Sequence, residues 1–286
     1  MQARVVSVWR YPVKSLGGER IPRAEILHTI GIPGDRGYAL RDDRVGEIRG
    51  AKQIPSLLRC SARYLAEPVR DATPPVEVAF PDGVTLRSDD ANVSPRLSEV
   101  AGKPLTLVAR RPASDADFYA RKEPFGLEEM RTIFALEPDE PLPDLSEFGP
   151  EILMELARYA SPRGTFFDTV EIHLVSTQTL ASLQERLPDS IVDVRRFRPN
   201  LLVEFDGGGE RPEQGLRGRK LRAGTAVLEV VAPMVRCGMI TQPQPQLPKD
   251  AQILRTLVRE QKQQLGAALR VLEPGVVAEG DRVEVL

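Results

Sequence analysis

Cysteine and histidine are scarce in this sequence: Cys60, Cys237, His28 and His173 are all there are. Neither pair has the close spacing of metal ligands, so a structural zinc site is not expected. An ordinary iron–sulfur cluster takes four thiolates, which this chain alone cannot supply. Any redox chemistry here must draw electrons from another protein. The two distant cysteines offer no disulfide framework and fit a reducing compartment. Long apolar runs of membrane-spanning length are also missing. The start, Met1 to Arg10, reads as a strand with charges at both ends and not as a signal peptide. The expectation is a cytoplasmic protein without a membrane partner. An excess of either charge is absent as well, since 39 Lys plus Arg face 41 Asp plus Glu, a net charge of −2. That balance gives no electrostatic support for binding nucleic acid.

What remains is a chain of 286 residues, 41% hydrophobic and 28% charged, long enough for one large or two ordinary domains. Residues 1–111 read as short strands. Val5, Val6 and Val8 suggest the first, with others at 24–27, at 36–40 and around Ile48. Val76–Phe80, Pro81-Asp82-Gly83 and Val84–Leu86 form a hairpin pattern. Ser94-Pro95 reads as the start of a helix ending near Gly102, followed by a closing strand at 103–110. Many short strands with regular turns favour a small barrel. Residues 112–168 lose this texture; the run 137–144 is acidic and proline-rich, the pattern of a surface connection, and 151–159 suggests a helix. Residues 169–286 resume with a strand at 170–175, and Ser176-Thr177 then caps a helix through Leu180, Leu183 and Leu187. Strands follow at 201–205 and 227–231, then a helix at 251–265 and a last strand at 281–285.

Cys237 is the most informative residue. It follows a β-branched strand pattern that breaks at Pro233, next to Arg236, and a neighbouring cation favours the thiolate that binds metals or attacks substrates. Four further segments carry chemistry. Tyr11-Pro12-Val13-Lys14-Ser15 offers a cation and a hydroxyl on a rigid loop. Gly34-Asp35-Arg36 enters a strand after a tight turn and, taken alone, reads as a hairpin with a solvated ion pair. Ser176-Thr177 at a helix start reads equally as an N-cap and as an anion site. Arg195-Arg196-Phe197-Arg198-Pro199-Asn200 gathers three guanidiniums and an amide; in an extended segment Arg198 and Asn200 share one face. His28 and His173 read as structural, and Gly207-Gly208-Gly209 lacks the spacing of a phosphate loop.

Together and in this order these segments resemble the MOSC family, named for the C-terminal domain of molybdenum cofactor sulfurase. Tyr11–Ser15 and Gly34–Arg36 resemble its N-terminal β-barrel; His173–Thr177, Phe197–Asn200 and Arg236-Cys237 resemble the MOSC domain. The layout is similar to that of the mitochondrial amidoxime reducing component and its bacterial relatives. The resemblance implies a mainly β fold with peripheral helices: an N-terminal β-barrel domain at 1–111, a partly helical connection at 112–168 and a MOSC β-barrel domain at 169–286. It implies a molybdenum cofactor (Mo-molybdopterin) whose metal is bound by Cys237, the catalytic residue. Lys14, Ser15, Arg36, Ser176, Thr177, Arg198, Asn200 and Arg236 would hold the pterin and its phosphate. The sequence departs from the family pattern at Gly37, at Gln214-Gly215-Leu216 near Glu213, and at Thr241-Gln242-Pro243. These positions are expected near the cofactor mouth, where they would bear on substrate choice.

The implied activity is reduction of small N-hydroxylated compounds such as amidoximes or hydroxylamines, with electrons from a separate iron–sulfur or flavin protein. Pyridoxal phosphate is not expected. The alternative is a non-catalytic carrier of cofactor or sulfur that uses Cys237. A cysteine hydrolase would need His28 or His173 as a base within reach of that thiol.

Overall fold

The structure, a computed structural model, describes residues 1–70, 72–123 and 126–286. Its first part contributes β1 (Gln2–Arg10), β2 (Glu19–Ile21), β3 (Arg23–Ile26), β4 (Tyr38–Asp42), β5 (Glu47–Arg49), β6 (Ser61–Tyr64), β7 (Val76–Ala79), β8 (Thr85–Arg87), α1 (Val93–Ala101) and β9 (Leu105–Ala109). The middle carries α2 (Ala116–Tyr119), α3 (Leu127–Phe134) and α4 (Pro150–Arg158). The last part holds β10 (Ile172–Ser176), α5 (Thr177–Arg186), α6 (Val194–Phe197), β11 (Leu201–Phe205), β12 (Lys220–Ala223), β13 (Ala226–Val235), α7 (Gln252–Gln261), β14 (Gln264–Glu273), β15 (Gly275–Ala278) and β16 (Arg282–Val285).

Seven strands close a barrel in the order β11-β10-β14-β13-β12-β16-β1, with β1 pairing back onto β11. Closure leaves no open edge among them. β1 shows why it suits this place: Ala3 and Val5 are buried between the exposed Gln2 and Arg4, the period-two pattern of a strand with one face inward. Those residues join Leu174, Val203, Leu228 and Leu269 in the barrel core. Two three-stranded sheets, β5-β4-β9 and β6-β7-β8, enclose a second core around Leu16, Leu40, Leu57, Val78 and Leu97. The fold is thus mainly β with helices at the periphery.

Hydrogen bonding crosses the boundaries suggested by chain position. β1 is laddered to β11 and β16, and β3 to β15, so the first strand of the chain belongs to the C-terminal barrel. The 76–86 hairpin forms as expected, with Gly83 at φ +85°, and Gly102 ends α1 at φ +69°. Three local expectations are corrected. The N-cap of α1 is Asn92 and not Ser94; Ser94 Oγ instead accepts the Leu107 N–H at 3.0 Å, fastening the helix to β9. β13 does not break at Pro233 but runs to Val235, with register irregularities on either side that accommodate the missing N–H. α7 stops at Gln261 because Lys262 and Gln263 take positive φ, and Leu265 lies in β14.

The acidic run at 137–144 is more than a surface connection. Arg255 of α7 contacts Glu140 and the Ala135 carbonyl, with Glu137 at 3.9 Å, and Gln263 donates to the Phe134 carbonyl at 3.1 Å. On the other side buried Glu47 accepts the Lys122 N–H at 2.9 Å, and Arg49 pairs with Glu123. The connecting segment is therefore pinned to both sheet systems, across the place where they meet.

Candidate active site

Beyond the end of β1, Tyr11 organises the polar half of the site. Its ring carries the Arg198 guanidinium at 4.1 Å and that of Arg36 at 5.0 Å, and its hydroxyl donates to the Pro199 carbonyl at 3.1 Å. Asp35 lies beneath, accepting the Tyr11 N–H at 2.8 Å and the Asn200 amide at 2.9 Å while touching Arg36. It is 5% exposed, so the Asp35–Arg36 pair is a buried clamp and not the solvated pair expected from the motif alone.

Asn200 is a clip. Its N–H donates to the His173 carbonyl (2.7 Å), its Oδ1 accepts the His173 N–H (3.1 Å), and its Nδ2 serves Asp35 and the Trp9 carbonyl. Both amide donors are therefore engaged. Arg198 caps α6 in the left-handed region at φ +54°, so the segment is not extended as expected. Of the three arginines there, Arg195 pairs with Asp193, and Arg196 is wholly buried on the carbonyls of Ile191, Ile240, Gln242 and Pro248. Arg198 alone of the three reaches the site, its Nη1 on the Leu16 carbonyl and its buried Nη2 without a partner among the described residues.

Arg236 repeats this pattern. Nη2 donates to the Phe197 carbonyl at 2.8 Å, Nη1 lies 3.4 Å from His173 Nε2, and the buried Nε has no partner. Burial and then Arg236 hold the His173 imidazole well below its usual range, so the ring is neutral and Nε2 is free to accept. Gly266 makes room for that ring: a Cβ there would lie 2.4 Å from Nε2. Burial and then Arg36 bring the Arg198 guanidinium down to about 10, leaving it charged at neutral pH.

A small cavity of about 50 Å³ is lined by Arg36, His173, Arg198, Asn200 and Arg236. A larger one of about 350 Å³ is lined by Cys237, Lys14, Ser15 and Lys52 among others. Asp168, Thr169, Met234, Arg236 and Met239 border both. Half-buried Cys237 thus sits one residue from an arginine that faces both cavities. Lys14 donates to the Phe166 and Phe167 carbonyls and to Asp168 Oδ1 at 2.9 Å, and Lys52 reaches the same oxygen at 3.2 Å. Burial lowers Lys14 to about 8 against the pull of Asp168. Burial pushes the Asp168 carboxyl up, but the two ammonium groups outweigh it and hold it well below the usual range. Ser15, at φ +73°, accepts the Ala51 N–H at 2.8 Å and leaves its own proton free toward the cavity. Gly50 permits this, because a Cβ there would stand 2.5 Å from Ser15 Oγ.

The structure does not bring Ser176 and Thr177 to this cluster. Side chains alternate along β10, so Ser176 shares the barrel-interior face of Ile172 and Leu174, while His173 points outward. Ser176 Oγ donates to Glu213 at 2.7 Å and caps α5 by accepting the Thr179 N–H at 3.0 Å. The Thr177 hydroxyl bonds to its neighbour Gln178. The family departures also lie elsewhere than expected: none of Gly37, Gln214 or Gln242 lines either cavity. Gly37 abuts Tyr64, and Gln214 donates to the Gly266 carbonyl. Tyr11, Asp35 and His173 lay inside the quoted motifs without being assigned to the site. Asp168 and Lys52 had no motif, and only the folded proximity reveals them. Neither histidine serves Cys237: His28 Nδ1 lies against the Val271 carbonyl and the His173 ring between Arg198 and Arg236. Among the described residues no cluster of three or more His, Cys, Asp or Glu could hold a metal ion, and no helix is long and apolar enough to cross a membrane.

Comparison with known proteins adds to this geometry. The MOSC domain model matches residues 162–284, and the MOSC N-terminal beta barrel domain model matches residues 2–104. Among solved structures, the YUAD protein from Bacillus subtilis aligns over 100% of this chain and 96% of its own, at 13% identity and a TM-score of 0.48. YiiM from Geobacillus stearothermophilus aligns over 41% of this chain and 54% of its own, at 20% identity and a TM-score of 0.31. YiiM from Escherichia coli covers the same shares at 16% identity and a TM-score of 0.32. None of the curated proteins matches the chain.

Proposed function

The chain belongs to the MOSC family, and from that premise we propose that it binds a molybdenum cofactor between Arg198 and Cys237 and reduces N-hydroxylated compounds with it. The observation that carries this reading is the pair of buried guanidinium N–H groups, Arg198 Nη2 and Arg236 Nε, that lack acceptors among the described residues, beside a half-buried thiol. A buried donor without a partner costs about 1–3 kcal/mol, more when charged. An anionic ligand removes that cost, and phosphate oxygens suit guanidinium geometry.

The residues present fit the cofactor. Arg36, Arg198 and Arg236 would hold its phosphate, with Tyr11 and Asp35 fixing two of them in place. Lys14 and the Ser15 hydroxyl would meet its polar edge from the larger cavity. Cys237 would supply the soft anionic ligand to the metal. Neutral His173 orients Arg236 without adding a second positive charge. Asn200, with its amide donors engaged, serves as the clip that positions Arg198. Ser176 and Thr177 play no direct part. Bound there, the cofactor supplies a two-electron reduction in which the N–O bond breaks and, with two protons, water leaves. Those electrons would come from a separate iron–sulfur or flavin protein.

A carrier of cofactor or sulfur needs room for the cofactor alone, whereas the cavity beside Cys237 also has an apolar wall that the cofactor's polar groups do not use, which favours catalysis. The test is elemental analysis of protein purified from a cofactor-producing host, paired with reduction of benzamidoxime by reduced methyl viologen. The expected result is near-stoichiometric molybdenum and turnover, with turnover lost and molybdenum content lowered in Cys237→Ser. Absence of molybdenum, or equal molybdenum in Cys237→Ser, overturns the reading.

A further inference from the structure

The larger cavity has two unlike halves. Lys14, Lys52, Asp168, Arg236 and Cys237 lie at one side, whereas the wall supplied by α3, α4 and the chain between them is entirely apolar. It includes Met130, Phe134, Phe148, Leu153, Leu156 and Ala157. An amphipathic helix ordinarily buries its apolar stripe. In α4 no residue is buried, although Leu153 and Leu156 recur at helical spacing and both face the cavity. Leu153 packs in part against the Phe148–Ala232–Ala268 cluster, and both leucines keep a face toward the recess. The segment is nonetheless held in place, by Arg49 and Glu47 on one side and Arg255 and Gln263 on the other.

Such a wall selects by desolvation. Covering it with an apolar group releases ordered water. Burying a charge against it is unfavourable, because the wall offers no partner. Of the other charges lining the recess, Glu47 pairs with Arg121 at 3.8 Å and Asp168 with both lysines, while Arg236 is assigned to the cofactor phosphate. We propose that α3 and α4 receive the apolar body of the substrate. The chain then acts on uncharged N-hydroxylated compounds with a fused-ring or branched-alkyl body, in preference to small hydrophilic or anionic ones. This inference rests on Cys237 marking the reacting end of the cavity.

The test is calorimetric titration of the purified, oxidised protein without an electron donor, so that binding alone is read. The probes are naphthalene-2-carboxamidoxime, acetamidoxime and 4-carboxybenzamidoxime. The naphthyl compound should bind at least tenfold more tightly than either of the others. Ala157→Trp, which fills the recess from an exposed helix position, should shrink that preference at least tenfold, and Leu156→Ala should shrink it severalfold. Equal affinity for the three probes in the wild type overturns the inference. So does a preference kept in both variants when their circular dichroism is unchanged. Selective naphthyl binding in protein that never contains molybdenum leaves the recess standing and removes only the redox reading. Molybdenum and turnover without selectivity remove the recess alone.

Discussion

The outward-facing side of β10 near its start and the interior-facing end of the same strand offer similar groups to an anion. Near its start stand His173, Asn200, Arg198 and Arg236; at its end Ser176 and Thr177 begin α5 with the backbone N–H groups of a helix N-terminus. At the second place the anion is already part of the protein: buried Glu213 accepts the Ser176 hydroxyl and lies 3.3 Å from its N–H. At the first, two charged donors have no acceptor among the described residues. Residue type therefore does not identify a binding site here. What distinguishes Ser176 from the Arg198–Arg236 cluster is that its hydroxyl and N–H already meet a carboxylate of the protein.

The comparison can be broken in several ways, beginning with the largest effect. Arg198→Met removes one of the unpartnered guanidiniums, and we expect cofactor retention to fall on the order of 100-fold, about 3 kcal/mol. Molybdenum and pterin content after dialysis measure it, with circular dichroism confirming the fold. Asn200→Ala leaves the Asp35 carboxylate and the Trp9 carbonyl without their amide donor, so unfolding in urea should show a loss of about 2–3 kcal/mol. Retention should fall with it, because Arg198 loses its support. Ser176→Ala should cost about 2–3 kcal/mol, losing the N-cap and leaving buried Glu213 without its hydroxyl donor, and leave cofactor content as in the wild type. If Ser176→Ala lowered retention as far as Arg198→Met, the distinction between the two ends would be wrong.

The smallest effect concerns Lys14, whose folded value of about 8 lies below the ordinary 10.5. Between those values the unfolded chain binds more protons, so this residue makes stability rise with pH across that window and adds no slope below it. Cofactor retention should run the other way, weakening as Lys14 loses its charge above about pH 8. Asp168→Asn removes the attraction that keeps Lys14 protonated, and its titration should move lower. Side-chain ¹⁵N chemical shifts of labelled lysine follow both.

Much of this was legible in the sequence. The order of the short motifs pointed to the family, and strand periodicity placed β1, β7, β10 and β11. Gly83 and Gly102 marked their turns because only positive φ satisfies them. The rest depends on contacts made far along the chain. No local pattern says that β1 will close the C-terminal barrel, since its alternation suits any sheet with one buried face. Pro233 resembled a strand end, yet irregularities in the β13–β14 ladder absorb it. Ser176 has the residue type and helix position of an anion site; Glu213, which occupies it, lies 37 residues away. Asp168 and Lys52 meet Lys14 only once the connecting segment folds back across the two sheet systems. The acidic run at 137–144 read as a surface connection because its partner, Arg255, belongs to α7.

The central claim is that Cys237 binds the metal while Arg198 and Arg236 hold the remainder of the cofactor. X-ray absorption at the molybdenum edge, on wild type and on Cys237→Ser reconstituted with excess cofactor, tests it most directly. The account predicts one fewer sulfur neighbour around molybdenum in the variant, with the pterin still retained. Identical spectra from the two proteins would contradict it.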